Sequence, residues 1–167
     1  MVHNPISITN DEELAALAIS GSGTVNDPYI ISGWKITDSD TYGIYIIGTT
    51  MHFRIENCLI ANSSKYGIFI DNVTSGTTTV ANNICNDNIV IGIYIRYSTS
   101  STITNNTCNN NYNFGIYLQD SSSSIIVNNT CYNDGTGIYL FRSDYSRVAN
   151  NIYNDNIEYG IYLGESG

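Results

Sequence analysis

The sequence predicts an all-β fold, a single-stranded solenoid of parallel β-structure closed at its N-terminal end by a short α-helical cap. Three observations carry this. A Gly-Ile-aromatic-(Ile/Leu) block occurs six times: Gly43-Ile44-Tyr45-Ile46, Gly67-Ile68-Phe69-Ile70, Gly92-Ile93-Tyr94-Ile95, Gly115-Ile116-Tyr117-Leu118, Gly137-Ile138-Tyr139-Leu140 and Gly160-Ile161-Tyr162-Leu163. Successive glycines lie 24, 25, 23, 22 and 23 residues apart, the period of a repeat that buries its apolar residues only against its neighbours. Within a repeat, Ile, Val, Thr and Tyr alternate in short runs between Asn, Asp, Ser and Gly, and no run is long enough for a helix.

The elements follow in order. Ile6-Ser7-Ile8 reads as a short strand. Thr9 to Glu13 reads as a helix start, with a capping side chain followed by acids in the first turn. Leu14, Leu17 and Ala18 give that helix one apolar face, and Gly21 to Thr24 stops it. Asn26-Asp27-Pro28 is a turn, after which Tyr29-Ile30-Ile31 begins the first coil. Residues 1–28 are therefore the cap and residues 29–167 a β-helix of about six coils. A second block precedes each Gly-Ile block: Phe53 to Ile60, Thr79 to Cys85, Thr102 to Cys108, Ile125 to Cys131 and Arg147 to Tyr153. The last residue of each lies seven before the glycine, except Cys131, which lies six before Gly137.

Coils stacked at the ~4.8 Å spacing of strands align like residues into ladders. Ile44, Ile68, Ile93, Ile116, Ile138 and Ile161 form one inward ladder. The residues two further on (Ile46 to Leu163) form a second, and Ile55, Val80, Ile103, Ile126 and Val148 a third. Strand side chains alternate faces, so Tyr45, Phe69, Tyr94, Tyr117, Tyr139 and Tyr162 form an external aromatic stripe. Asn57, Asn82, Asn105, Asn128 and Asn150 share a corner position. Asparagine tolerates left-handed backbone there and pairs its amide with the neighbouring coil.

Composition excludes several classes of function. Six basic residues stand against 15 acids, for a net charge of −9 in 167 residues, which argues against nucleic acid and anionic membrane surfaces. No apolar run reaches the ~20 residues of a membrane span. Met1 to Pro5 lacks the basic and apolar regions of a secretory leader, so the start reads as a segment boundary. The abundance of Asn, Ser, Thr, Tyr and Gly fits a secreted or cell-surface β protein.

The Asn-Asn-x-Cys and Gly-Ile-Tyr-Leu blocks resemble the parallel β-helix (PbH1) repeats of the pectin-lyase-like superfamily, in particular NosD-like and archaeal surface proteins. The stretch from Gly21 to Trp34 is similar to the lead-in of those archaeal proteins. The resemblance covers nearly the whole chain and implies a right-handed parallel β-helix with three sheets. It implies little about activity, since the repeat is architectural.

The resemblance brings in carbohydrate lyases, hydrolases and epimerases, which use this fold and need particular residues. A lyase needs a base, often beside a cation that neutralises a uronate. A hydrolase needs carboxylates at fixed separation. The polygalacturonase motifs and the Asp-Pro-His-Asp motif of alginate epimerases are missing. His3 and His52 are the only histidines, and no break in the repeats marks an active site. No catalytic and no metal-binding residue is assigned. Asp38, Asp87, Asp134 and Asp155 fall in turns near Asn62, Asn110 and Asn133. These are turn residues, or an oxygen ladder for Ca²⁺. Cys85, Cys108 and Cys131 share a position with Ile36 and Ile60, which marks them as reduced core thiols; a disulfide or thiolate metal site is the other reading. Asn62 and Asn72 are the better candidates among four glycosylation sequons.

The expected function is a non-catalytic structural or interaction module. It is expected to self-associate as a homodimer through Ile161 and Leu163 of an uncapped C-terminal coil, unless the natural chain continues past Gly167. The rival reading is a polysaccharide- or glycan-binding module using the aromatic stripe. A third is a degenerate lyase- or epimerase-like domain.

Overall fold

The computed structural model describes residues 1–167. The cap consists of β1 (Ile6–Ile8) and α1 (Asp11–Leu17). Six coils of three strands follow. They are β2–β4 (Tyr29–Ser32, Lys35–Thr37, Tyr42–Ile47), β5–β7 (Phe53–Glu56, Leu59–Ala61, Tyr66–Asp71) and β8–β10 (Thr78–Ala81, Ile84–Asn86, Ile91–Arg96). Then come β11–β13 (Thr102–Thr104, Thr107–Asn109, Phe114–Gln119), β14–β16 (Ile125–Val127, Thr130–Tyr132, Thr136–Phe141) and β17–β19 (Arg147–Ala149, Ile152–Asn154, Tyr159–Gly164).

Strands stack into three parallel sheets, β1-β4-β7-β10-β13-β16-β19, β2-β5-β8-β11-β14-β17 and β3-β6-β9-β12-β15-β18. Each of these strands thus pairs with the strand one coil away, and the antiparallel bridges Ser20–Ile30 and Thr24–Asp27 lie outside them, in the turn that leads from α1 into β2. The three predicted ladders are in register: Ile93 pairs with Ile116, Ile95 with Leu118, and Ile103 with Ile126. All six side chains are fully buried. β1 adds Ile6 and Ile8 to the first two ladders.

The cap follows from local chemistry. The Asn10 side chain accepts from the Glu13 N–H at 2.9 Å, and the Glu13 carboxylate accepts from the Thr9 N–H at 2.7 Å, satisfying donors that a helix start leaves open. Asp11 accepts from the Thr50 N–H at 2.8 Å, which ties the helix to the loop after β4. The helix ends at Leu17, ahead of the glycines expected to stop it. Leu14 is fully buried over the first coil.

Every corner uses one device, a residue in left-handed backbone followed by one that turns inward. Between the second and third sheets the left-handed residues are Asn57, Asn82, Asn105, Asn128 and Asn150, with φ between 54° and 58°. Gly33 takes that place in the first coil with φ 76°. Their amides do not form the ladder expected of them. The next residues do: Asn83, Asn106 and Asn129 are buried, and Cys58 stands in their place one coil earlier. The Asn83 N–H and Nδ2 both donate to Asn106 Oδ1, at 2.9 and 3.1 Å. Nδ2 also donates to the Ile55 carbonyl of the coil behind, at 2.9 Å. The left-handed residue points to solvent, so only its successor can face the neighbouring coil.

The repeated glycine has its own reason. A Cβ on Gly92 would lie 2.7 Å from the Gly115 carbonyl oxygen and 3.2 Å from Cys108 Sγ. The chain bends inward here, against the thiol column and the next coil's backbone.

Candidate functional site: the outer aromatic face and the C-terminal coil

The expected stripe lies on the outer face of the first sheet, but it is not an exposed platform. Phe69 and Tyr94 are only 5% and 6% exposed. A second outer column, Tyr42-Tyr66-Ile91-Phe114-Thr136-Tyr159, runs three residues before the stripe and packs against it. Phe69 and Tyr94 stack at 4.8 Å and 13°, Tyr94 and Tyr117 at 4.8 Å and 6°, and Tyr117 and Tyr139 at 4.9 Å and 9°. Rings stacked at the strand spacing use their faces on one another and leave edges to solvent. Tyr162, at the end of the column, is 45% exposed; it lies tilted at 46° to Tyr139 and stacks on Tyr159 at 5.1 Å. Burial pushes the Tyr94 phenol well above its ordinary range and the Tyr117 phenol up to about 12.

Arg96 and Asp71 flank the stack. Arg96 Nε donates to Asp71 Oδ1 at 3.0 Å, and the guanidinium lies 5.4 Å from the centre of the Phe69 ring. The hydrogen bond to Asp71 raises the Arg96 pKa further. This pair links coils two and three and had no distinctive signal in the sequence.

Cys85, Cys108 and Cys131 stack in register between Ile60 and Tyr153. All are free and fully buried, and burial drives the Cys108 thiol well above its usual pKa. No group of three or more His, Cys, Asp or Glu side chains converges. Asp38, Asp87 and Asp155 occupy left-handed corners. Asn62 donates to Asp38 and Asn110 to Asp87, each at 3.1 Å. Asp134 does not belong with these acids. It lies one residue further on, in the buried column Ser63-Asn88-Asn111-Asp134-Asn156. Asn62 and Asn72 are exposed at left-handed corners.

The corner between the third and first sheets is shortened once. Asp134-Gly135-Thr136 crosses a corner with one residue fewer than the other coils, as the short Cys131–Gly137 spacing foreshadowed. Gly135 is required there, since its Cβ would lie 2.3 Å from the Asn113 carbonyl oxygen. Outside the short turn is a cleft of about 240 Å³ lined by Tyr112, Asn113, Phe114, Gly135, Ile157 and Glu158.

The two ends of the solenoid differ. At the N-terminal end α1 covers the core. At the other, Ile161 and Leu163 are 38% and 54% exposed, although Ile138 and Leu140 one coil earlier are 0% and 2%. Leu140, Val148, Ile161, Leu163 and Ser166 line an open hollow of about 300 Å³. The ladder residues Asn151 and Asn156 accept at Oδ1 from the Asn129 and Asp134 N–H groups, at 2.8 and 3.0 Å.

The family described as "Right handed beta helix region" matches residues 15–167, and the chain belongs to it. A solved structure of a periplasmic alginate epimerase, the AlgG T265N T268M double mutant, aligns with TM-score 0.68 at 20% identity. The alignment covers 81% of this chain and 32% of that one, so this chain spans about a third of that protein's length. Another AlgG structure aligns at TM-score 0.44 and 14% identity, over 80% of this chain and 42% of that one. No curated protein sequence matches significantly. No helix is long and apolar enough to cross a membrane.

Proposed function

We propose that this chain is a non-catalytic structural and interaction module of a secreted or cell-surface protein, which self-associates through its C-terminal coil. The exposure of Ile161 and Leu163, in a ladder buried everywhere else, carries this reading. Within residues 1–167 the last coil presents an open strand edge on each of the three sheets, the usual template for chain pairing. The occupant is a second copy. Its C-terminal face offers the same donors and apolar side chains, whereas its N-terminal face is covered by α1. Two C-terminal faces meeting about a two-fold axis give a closed dimer. The extracellular assignment is supported by the composition and by a structural neighbour described as periplasmic.

Sedimentation of the 1–167 chain over a range of concentrations tests this. The wild type is expected to dimerise. Leu163→Glu and Ile161→Lys are expected to be monomers with unchanged circular dichroism. A wild type that stays monomeric at the highest soluble concentration would refute the proposal.

A second reading, polysaccharide binding on the aromatic face, is supported by the 45% exposure of Tyr162 and the partly exposed rings of Tyr117 and Tyr139. Retention on immobilised polysaccharide, lost on Tyr162→Ala, would favour it.

A further inference from the structure

The Asn88-Asn111-Asp134-Asn156 column contains one residue that does not fit its neighbours as an ion. In the regular pattern the side-chain oxygen of each member accepts from the coil behind, and its NH2 reaches a carbonyl of that coil. Asn111 Nδ2 donates to the Cys85 carbonyl at 3.1 Å, and Asn156 Nδ2 to the Cys131 carbonyl at 3.2 Å. Asp134 keeps the first half of the pattern. Its Oδ1 accepts from the Asn111 N–H at 2.8 Å and from Nδ2 at 2.9 Å. Its Oδ2 occupies the place of the NH2, is buried, and has no partner. By the pattern of the column, the groups it meets are acceptors, the Cys108 carbonyl and Asn156 Oδ1. Asn156 Oδ1 already accepts from the Asp134 N–H at 3.0 Å.

Nothing nearby compensates a negative charge. Asp134 is fully buried. Gly115 sits over it, where a Cβ would lie only 2.5 Å from Oδ2 and 3.1 Å from the Cys131 thiol. The titratable groups on the packed elements are the thiols of Cys108 on β12 and Cys131 on β15 and the phenol of Tyr153 on β18, none of which can be a cation. Asp155 and Glu158 of the last coil are the nearest charged residues along the chain on that side, and both are exposed acids. No cation pairs with Asp134.

We propose that Asp134 is a proton-binding site built into the fold. The folded chain holds it as the neutral acid, with the Oδ2 proton donated to the Cys108 carbonyl, and loss of that proton opens the short turn Asp134–Thr136. Protonation restores the donor that asparagine supplies elsewhere in the column. Ionisation sets a buried carboxylate against acceptors, at the one corner shortened by a residue and bordered outside by the water-accessible cleft. Burial agrees in direction, raising the Asp134 carboxyl from 3.8 to about 7. Between those two values the unfolded chain has released the proton and the folded chain keeps it. Stability from this group is therefore full below pH ~4, falls as pH rises, and levels off above pH ~7. Over that window its contribution raises the unfolding constant by up to about tenfold per pH unit. The proposal is independent of whether the C-terminal coil self-associates.

The test uses Asp134→Asn, which the column accommodates, with the carboxyl carbon of Asp134 followed by NMR in the wild type. The carboxyl is expected to titrate near 7. The gap in melting temperature between Asp134→Asn and wild type is expected to be smallest near pH 4, to widen to pH 7 and then to hold. Amide exchange at Gly135 and Ile157 is expected to gain extra opening above pH 7 in the wild type only. A carboxyl titrating near 4, or parallel stability–pH curves for the two proteins, would overturn the proposal.

Discussion

Tyr94 and Tyr117 lie on successive coils with ring centres 4.8 Å apart and planes 6° from parallel. That separation is the spacing of the strands themselves, so each ring covers its neighbour without distorting the sheet. Tyr94→Ala removes two such stacks and the burial around them, and is expected to cost about 1–3 kcal/mol. Tyr117→Ala is expected to behave alike. Thermal melts measure the cost, and retention on a polysaccharide column is the control. If stability and retention were both unchanged, the stack would have neither role.

Ile116 is fully buried between Ile93 and Ile138. Ile116→Ala is expected to lower stability by about 2–5 kcal/mol, through lost transfer energy and a cavity that rigid neighbouring coils cannot fill. Denaturant titration gives the number. A loss under ~1 kcal/mol would mean that the coils collapse around the gap.

The four cysteines are buried and unpaired. Only the thiolate reacts, and burial raises both Cys58 and Cys108 away from ionisation. A bulky thiol reagent is expected to label none of them in the native protein and all of them in denaturant. Fast native labelling of any one would show a coil opening that the packing does not allow.

Asn106 accepts from Asn83 in the coil behind and donates to Asn129 ahead and to the Val80 carbonyl at 2.9 Å. Asn106→Ala leaves several buried groups unpaired and is expected to cost about 2–4 kcal/mol, since each such group costs ~1–3. Asn106→Asp replaces the NH2 by an acceptor. Its deficit is expected to be small at pH 4 and large at pH 8, as ionisation of a buried acid becomes the unfolded chain's advantage. An equal deficit at both pH values would show that the column tolerates a carboxylate.

The sequence by itself determined the coil, the number of coils and the inward ladders. A glycine every 22–25 residues and period-two alternation leave one way to bury Ile93, Ile116 and Ile138. It also determined the cap, because the contacts of Asn10 and Glu13 span only a few residues. Tertiary structure decided what depends on neighbours a whole coil away. Alternation shows that Tyr94 faces outward, but not that Tyr66, Ile91 and Tyr117 surround it. An Asn-Asn pair marks a corner, but only the fold shows that the first residue takes left-handed backbone and the second carries the ladder. Asp134 reads as one more turn acid until the one-residue deletion beside it is placed in register. Then it falls in a column of buried amides, where its second oxygen has no donor to meet.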